Sequence, residues 1–441
     1  MSTYKILTST DRGRVIDSET GIVRYLSEIP NDPGDPKIFN YSAKMADTSR
    51  FLPIGCYDSN GGAGLTRDEA QWAAIGEAIE RYCCSVYFTD ELLLGSYAEV
   101  TESFRALKPG EIALFHPKQK KSIRYAWFTE QTKVCWTTGY SITKREPLLI
   151  PASLVYIPYY PFRMDEGEET IGPSISTGQA SAYSYEDALL RGMYEIVERD
   201  AFTISWLNRL PLPKISIKSS VIVSEVFQER FAAHKMEYTL FSMATDLEIP
   251  SIVCLLIDYN RTPPLVCTGG ASNINPDKAA LKALVEAAQT HKWAVFLGKR
   301  DKPLIIESDY SNIDDFEKHV FLYAYGDMMD ALTFLTKNKQ EISFSEIPDF
   351  AGRDFTNQTG RVLRQIQSRG HEVMIVDLTT PDVSECGYCV LKVLIPSMQQ
   401  LEGDHNHRML GGPRIYQVPA KVGYSTKCSF DTLNPDPHPY P

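Results

Sequence analysis

Two glutamates three residues apart, Glu77 and Glu80, are followed at once by Arg81, and further along Glu195 and Glu198 are followed by Arg199. The segments that carry them align without a gap: TRDEAQWAAIGEAIER from Thr66 to Arg81 and SYEDALLRGMYEIVER from Ser184 to Arg199. A third, weaker copy, NPDKAALKALVEAAQT from Asn275, has Glu286 where the others have Glu77 and Glu195, and Gln289 where they have Glu80 and Glu198. Carboxylates three apart on a helix share a face. Here the segments are otherwise rich in Ala, Leu and Ile, and a carboxylate drawn away from water is costly unless a cation meets it. Several converging carboxylates repel one another. Divalent cations resolve that repulsion, and a hard, oxygen-rich set suits magnesium held together with nucleotide phosphates. A single E-x-x-E-R reads as an exposed, salt-bridged helix face. Three copies in register point instead to one site built from three related helices.

The local sequence supplies those helices. Thr66 with Glu69, and Ser184 with Asp187, are cap pairs of the capping-box kind, the second with a shorter acid. Asn275 followed by Pro276 is a cap residue with proline at the first helical position. Ser251–Asp258, Pro264–Thr268 and Glu372–Leu378 read as strands, and Pro147–Phe162, broken by Pro151, Pro158 and Pro161, as buried strand and loop. Helices are predicted over Phe316–Leu335 and Thr356–Arg369, and a loop over Pro30–Pro36. Residues 1 to about 50 carry few signals. The glycines Gly61, Gly62 and Gly64 read as a turn before the first acid helix, with a P-loop excluded by the lack of a Lys-Ser/Thr ending. The pattern is α/β (α+β), with repeated sheet-plus-helix units around a shared site. Residues 1–54 form an N-terminal segment and 55–441 the catalytic domain.

At 43% hydrophobic and 23% charged residues, the composition is that of a folded chain able to bury a large core. A net charge of −11 argues against nucleic acid as a partner. No apolar run reaches membrane-spanning length, and Met1–Arg14 lacks the apolar core of a signal peptide, so a cytoplasmic protein is expected. Nine cysteines with no secretion signal imply reduced thiols. Cys386 and Cys389 form a lone C-G-Y-C without two further zinc ligands, Cys83 and Cys84 read as packing residues, and His405 with His407 is a weak metal candidate.

The segments GLTRDEAQWAAIGEAIERY, STGQASAYSYEDALLRGMYEIVERD and GGASNINPDKAALKALVEAAQTHKW resemble the three motif regions of the YcaO family, and so does the late stretch from Val376 to Arg414. The resemblance runs from about residue 55 to the end, with the motifs in order. It implies an enzyme that binds ATP and Mg2+ through acids of these helices and uses the ATP to activate a peptide-backbone amide. It assigns the metal to Glu77, Glu80, Glu195 and Glu198, and ATP to Ser181, Asp187, Arg199, Lys282, Glu286 and Gln289. Asp187 stands where many relatives carry Glu, Lys282 where Arg is common, and Ala74 where Ser often begins the first motif. Thr20–Ile22 is a weak candidate for an N-terminal nucleotide contact.

The chain ends NPDPHPYP. By composition alone this is a stiff, extended tail. Within the resembled family, a terminal P-x-P-x-P is the mark of azoline-forming cyclodehydratases, whose tail enters the active site. That implies catalytic roles for Pro437, Pro439 and Pro441, with the Pro441 carboxylate or His438 placed near the chemistry. Proline fixes φ, so such a tail loses little entropy on docking.

The function implied is ATP- and Mg2+-dependent conversion of Cys, and of Ser or Thr, in a ribosomally made precursor peptide to thiazoline or oxazoline. The alternatives are a thioamide- or amidine-forming relative, or a catalytically idle peptide-binding scaffold. The motifs begin by residue 66, leaving no room for a leader-binding domain, so a separate E1-like (ThiF-like) partner is expected. A flavin-dependent dehydrogenase acting later and a homodimeric state are further expectations.

Overall fold

A computed structural model describes residues 15–50, 55–56, 58–232, 236–300, 305–350, 357–425 and 427–441. The signal-peptide reading of Met1–Arg14 lies outside these residues, and all structural statements below concern the residues described.

Three sheets carry the fold. The first joins β1 (Val23–Ile29), β2 (Phe39–Met45) and β3 (Ser59–Gly64) in that order, all antiparallel. β4 (Leu93–Ser96), β5 (Lys133–Ser141), β13 (Met374–Asp377), β14 (Cys389–Leu394) and β7 (Gln179–Ala182) lie side by side in the second, with β6 (Glu146–Pro151) paired to β5. The third has the order β11 (Leu265–Ser272), β10 (Ser251–Asp258), β9 (Met236–Ser242), β8 (Lys214–Ile215) and β12 (Glu341–Ile342). Each sheet feeds one acid helix. β3 leads into α1 (Arg67–Ser85), β7 into α2 (Tyr185–Leu207) and β11 into α3 (Pro276–Leu297). The sheet-plus-helix unit expected from the sequence is therefore present three times.

The caps behave as their residues dictate. Thr66 and Glu69 close a reciprocal capping box on α1. Ser184 Oγ accepts from the Asp187 amide at the start of α2, without the return bond from the shorter acid. Asn275 caps α3 with Pro276 at its first position.

Every acid helix lies flat on its sheet through a stripe of small residues at helical spacing. Ala70, Ala74 and Ala78 line α1, Ala188 and Gly192 line α2, and Ala279, Ala283 and Ala287 line α3; Gly192 is buried and the alanines are fully so. Gly62 explains the closeness on the strand side, since a Cβ there would stand 2.1 Å from the Ala74 amide nitrogen. The glycine group before α1 is thus strand β3 rather than a turn, and the glycines exist so that the helix can approach.

β10 and β11 are buried along their whole length, which is why SIVCLLID reads as a continuous apolar run instead of an alternation. Ile252, Cys254 and Leu256 face the core shared with α3. Val253, Leu255 and Ile257 face the opposite core, with Phe202 and Trp206 of α2, Tyr323 and Tyr440.

Two sequence expectations change. The helix predicted over Phe316–Leu335 stops as α4 (Phe316–Tyr325) because Gly326 ends it, and a short 3-10 turn, Met329–Leu332, follows. The quiet N-terminal stretch holds β1 and β2; β1 exposes most of its residues and so gives no apolar signal, while β2 is mostly buried. The second predicted helix is present as Gln358–Ser368. No described helix is long and apolar enough to cross a membrane.

Candidate active site

The acid faces of α1, α2 and α3 converge. Glu80 Oε1 accepts a hydrogen bond from the Ser181 amide at 2.7 Å, and Ser181 Oγ donates to the Gly76 carbonyl at 3.1 Å. Glu195 Oε2 accepts from the Gly178 amide at 3.0 Å. Glu286 Oε2 accepts from the Gly270 amide at 3.0 Å. Glu198, 3% exposed, accepts from the Tyr440 hydroxyl at 2.6 Å. Each of these four acids, Glu198 buried and the other three half-buried, is therefore held through one oxygen. Glu77, at the edge, pairs with Arg81 at 2.5 Å, and Arg81 also donates to Gln179 Oε1 at 2.9 Å.

The acids are close enough to feel one another. Burial, then repulsion from Glu77, lifts Glu80 above the usual carboxylate range. Burial, then Glu286, lifts Glu198. Burial lifts Glu195 and Glu286 as well, against the pull of Arg199. Lys282, exposed one turn before Glu286, pulls the other way on Glu198 and Glu286. Gln289 approaches Gly61 of β3, its Nε2 standing 3.2 Å from where a Cβ would be, so α3 lies close to the first sheet here. Asp187 is not among the gathered residues. It is exposed on the first turn of α2, about 12 Å along the helix axis from Glu195 at 1.5 Å per residue. Thr20 sits in a turn closed onto Asp17.

The C-terminal tail runs back along α2 toward these acids. The Asn434 amide donates to the Leu207 carbonyl at 2.7 Å, Trp206 Nε1 to the Asp436 carbonyl at 3.1 Å, and Arg199 Nη1 to the Pro441 oxygen at 3.3 Å. On its other side, the Tyr323 hydroxyl donates to the Pro437 carbonyl at 2.7 Å and Thr268 Oγ1 to the Pro439 carbonyl at 2.8 Å. His319, stacked on His438 with ring centroids 3.9 Å apart, faces the His438 carbonyl at 2.8 Å. Tyr440 is wholly buried, its ring 4.3 Å from that of Phe202 and 4.5 Å from the Arg199 guanidinium. A Cβ on Gly270 would collide with its hydroxyl, at 2.0 Å. The tail thus meets the acid cluster at Tyr440 and Pro441, while Pro437 and Pro439 are held further out by Tyr323 and Thr268, and His438 is turned away, its Nε2 facing the Glu402 carbonyl at 3.0 Å.

Glu402 gives a test of burial in this wall. It is 6% exposed, and its Oε2 has no hydrogen-bond partner. Burial pushes it up to about 8, against the attraction of Arg408. A carboxyl group raised on folding contributes stability below its unfolded value and loses it as pH climbs through the folded value. Glu402→Gln should therefore be more stable than the parent by a few kcal/mol at about pH 8, at ~1.4 kcal/mol per pKa unit. The gain should shrink nearly to nothing at about pH 4.5, the ordinary glutamate value. Urea denaturation at both pH values measures it, and equal stability at pH 8 would contradict the burial argument.

Three residues escaped the sequence reading. Arg81 aligned with Arg199 in the repeat, and that alignment was signal enough. Tyr440 lay between two prolines with nothing to mark it. Lys392 is a lone charge in the apolar strand CVLKVL; it is 3% exposed and donates to the Ile175 and Thr177 carbonyls at 2.5 and 2.9 Å. Burial lowers it to about 8, with Glu195 opposing. None of the nine cysteines is in a disulfide, and His407 pairs with Asp404 at 2.8 Å.

Among the described residues no three His, Cys, Asp or Glu side chains already meet around one metal position. The donor set nonetheless fits a divalent cation with phosphates. The acids are all-oxygen donors and mutually repelling, and each of Glu80, Glu195, Glu198 and Glu286 has only one oxygen tied by the bonds above. Arg199 Nε is buried and without a hydrogen-bond partner.

Residues 61–399 match the family model described as YcaO cyclodehydratase, ATP- and Mg2+-binding. An uncharacterized protein of Methanothermobacter thermautotrophicus is 26% identical over 352 residues, 78% of this chain and 82% of that one. Among solved structures, a heterocyclase in complex with substrate and cofactor superposes with a TM-score of 0.74 at 23% identity. That match covers 97% of this chain, which spans only 56% of the heterocyclase. YcaO from Methanopyrus kandleri bound with AMPPCP and Mg2+ gives 0.62 at 17% identity, covering 88% and 89%. At these identities the two structures share the fold.

Proposed function

We propose, from the premise that this chain belongs to the YcaO family of ATP- and Mg2+-binding cyclodehydratases, that it forms azoline rings in a ribosomally made precursor peptide. The observation that carries the reading is the tail: Pro437–Tyr440 is buried and Pro441 meets Arg199, beside Glu198. In the proposed reaction the thiol of a substrate Cys, or the hydroxyl of Ser or Thr, adds to the preceding backbone carbonyl and loses its proton. The carbonyl oxygen takes the γ-phosphoryl group of ATP and departs as phosphate. The amide nitrogen loses its proton, leaving the C=N bond of the ring.

Glu80, Glu195, Glu198 and Glu286, with Glu77 at the rim, would hold Mg2+ and the ATP phosphates, and the bound cation would offset charge on the transferring phosphoryl group. Arg199 supplies a planar guanidinium beside the same group. Ser181, Gly178 and Gly270 fix the acids from their strands. The Pro441 carboxyl group, held by Arg199, is the proposed acceptor for the substrate protons. Asp187, Lys282 and Gln289 are proposed to extend the ATP contacts outward from the acids. A cytoplasmic setting is supported by the free thiols.

The test is to incubate the chain with ATP, Mg2+, a Cys-bearing precursor and an E1-like leader-binding protein. Each ring should cost the peptide the mass of one water, and an oxygen-isotope label in the backbone carbonyl should appear in phosphate. A mass gain from exchange of oxygen for sulfur would replace azoline by thioamide chemistry.

The E1-like partner is itself a proposal, and it makes a prediction. Without the partner, ring formation on a leader-bearing precursor should be slow; adding the partner should raise the rate by roughly two orders of magnitude or more, the gain available from converting an encounter into a held geometry. Single-turnover assays with and without the partner decide it, and full activity of the isolated chain would count against a partner.

A further inference from the structure

Four acids, Glu198 buried and Glu80, Glu195 and Glu286 half-buried, are each held through one oxygen, but the holders differ in origin. The donors to Glu80, Glu195 and Glu286 are backbone amides of Ser181, Gly178 and Gly270, supplied by the strands and strand entries beneath the helices. Only for Glu198 does the donor come from outside the sheets, from the Tyr440 hydroxyl at 2.6 Å. The same tyrosine ring lies under Arg199, and the next residue, Pro441, accepts from that arginine. We infer that Tyr440 is a positioning residue for the metal site: the docked tail orients Glu198 for Mg2+, so tail docking and Mg2+-nucleotide binding reinforce one another.

The physical argument is one of numbers of oxygens and directions. Without the phenol, Glu198 Oε1 would keep only a long ion pair to Arg199 Nε at 3.5 Å, and repulsion from Glu286 with attraction from Lys282 would act on the carboxylate without fixing its direction. A phenol hydroxyl on one oxygen settles which oxygen remains for a cation, as carboxylate and carbonyl partners do for metal-binding histidines. Tyr440 donates from a fully buried ring pressed between Phe202 and Arg199. Its hydroxyl position is therefore set by packing, and Gly270 leaves the space it needs. The two sites then share Glu198 and Arg199, and any two ligands that stabilise the same arrangement must help each other equally in both directions. The sequence treats the tail and the acid helices as separable parts; at Tyr440 they are one.

This inference rests on the proposed Mg2+ and ATP site, and the experiment separates the two. Binding of a non-hydrolysable ATP analogue is titrated against Mg2+ by calorimetry, without peptide or partner, for the full chain and for Tyr440→Phe. The phenylalanine keeps the ring and removes only the donor. The variant should need roughly ten- to a hundred-fold more Mg2+, the loss usual when a ligand's supporting partner is removed. In the parent, Mg2+ with the analogue should also slow hydrogen exchange at the Tyr440 amide, and in Tyr440→Phe that protection should fall by a similar factor. A merely structural tyrosine would alter melting without altering the Mg2+ requirement. An unchanged Mg2+ requirement in the variant would overturn the tether. A lower requirement would overturn it too, since the phenol would then compete with the cation. Absence of any Mg2+-dependent binding by the parent would overturn the site reading itself, and the tether with it.

Discussion

Glu198→Gln is expected to remove Mg2+-dependent ATP turnover, by roughly a thousandfold or more, while the protein remains folded. Glu198 is 3% exposed and lies within reach of Glu286, Lys282 and Arg199. Glutamine has the same shape, and its carbonyl still accepts from Tyr440, so the packing around Phe202 and the tail is kept. What is lost is one negative charge facing the cation. Several kcal/mol of charge stabilisation on a transferring phosphoryl group depend on placing that cation, and ~1.4 kcal/mol is tenfold in rate. The metal-free variant should also gain stability. Burial and Glu286 raise the Glu198 carboxyl above its ordinary range, so the parent loses stability from this group as pH rises through that raised value. Melting curves taken with a chelator should show the variant ahead of the parent at slightly alkaline pH and level with it at about pH 4.5, the ordinary value for glutamate. Parent-like turnover in the presence of peptide and partner would remove Glu198 from the site.

Deleting Tyr440 and Pro441, or adding residues after Pro441, is expected to lower ring formation by at least about a hundredfold, the loss that follows a displacement of ~1 Å in a catalytic group. The deletion takes away the ring packed on Phe202, the donor to Glu198 and the acceptor for Arg199. Nucleotide binding should weaken as well, because the proposed phosphate and metal contacts, Glu198 and Arg199, also hold the tail. The extended form keeps Tyr440, so its loss should fall on ring formation more than on nucleotide binding. Mass spectrometry of the peptide product, beside calorimetry of the analogue, measures the two effects. Normal ring formation by an extended chain would sink the catalytic reading of the tail.

The helices and their acids were legible because their signals are local. Thr66, Glu69, Asn275 and Pro276 are cap residues wherever they occur, and acids three apart share a face regardless of what lies opposite. β10 was legible because burial on both faces leaves an unbroken apolar run. β1 was not, since residues such as Arg24, Tyr25, Glu28 and Ile29 point outward and its pairing with β2 is a long-range fact. The glycines of β3 looked like a turn because closeness to Ala74 is a property of the fold, not of the strand. The acid site was legible as residue types. Its wiring was not: Glu80 to Ser181 and Glu198 to Tyr440 join residues 101 and 242 apart in the chain, and Lys392 finds its carbonyls only once β14 lies beside β7.

The contacts along the tail have one more consequence. Between Pro437 and Pro439 the tail offers carbonyl oxygens to Tyr323, His319 and Thr268, and these prolines have no N–H to offer in return. Backbone recognition of this kind reads spacing and is blind to sequence, so the alternating prolines resemble a ruler whose marks repeat every two residues, at most roughly 7 Å apart. Slipping by one mark would return every pyrrolidine ring to an equivalent place and leave the prolines satisfied. It would also put an imidazole where the phenol meets Glu198, and carry the larger ring away from the space left by Gly270. The intervening side chains, His438 stacked on His319 and Tyr440 under Arg199, therefore number the marks, and they choose which atom of the tail arrives at the acids.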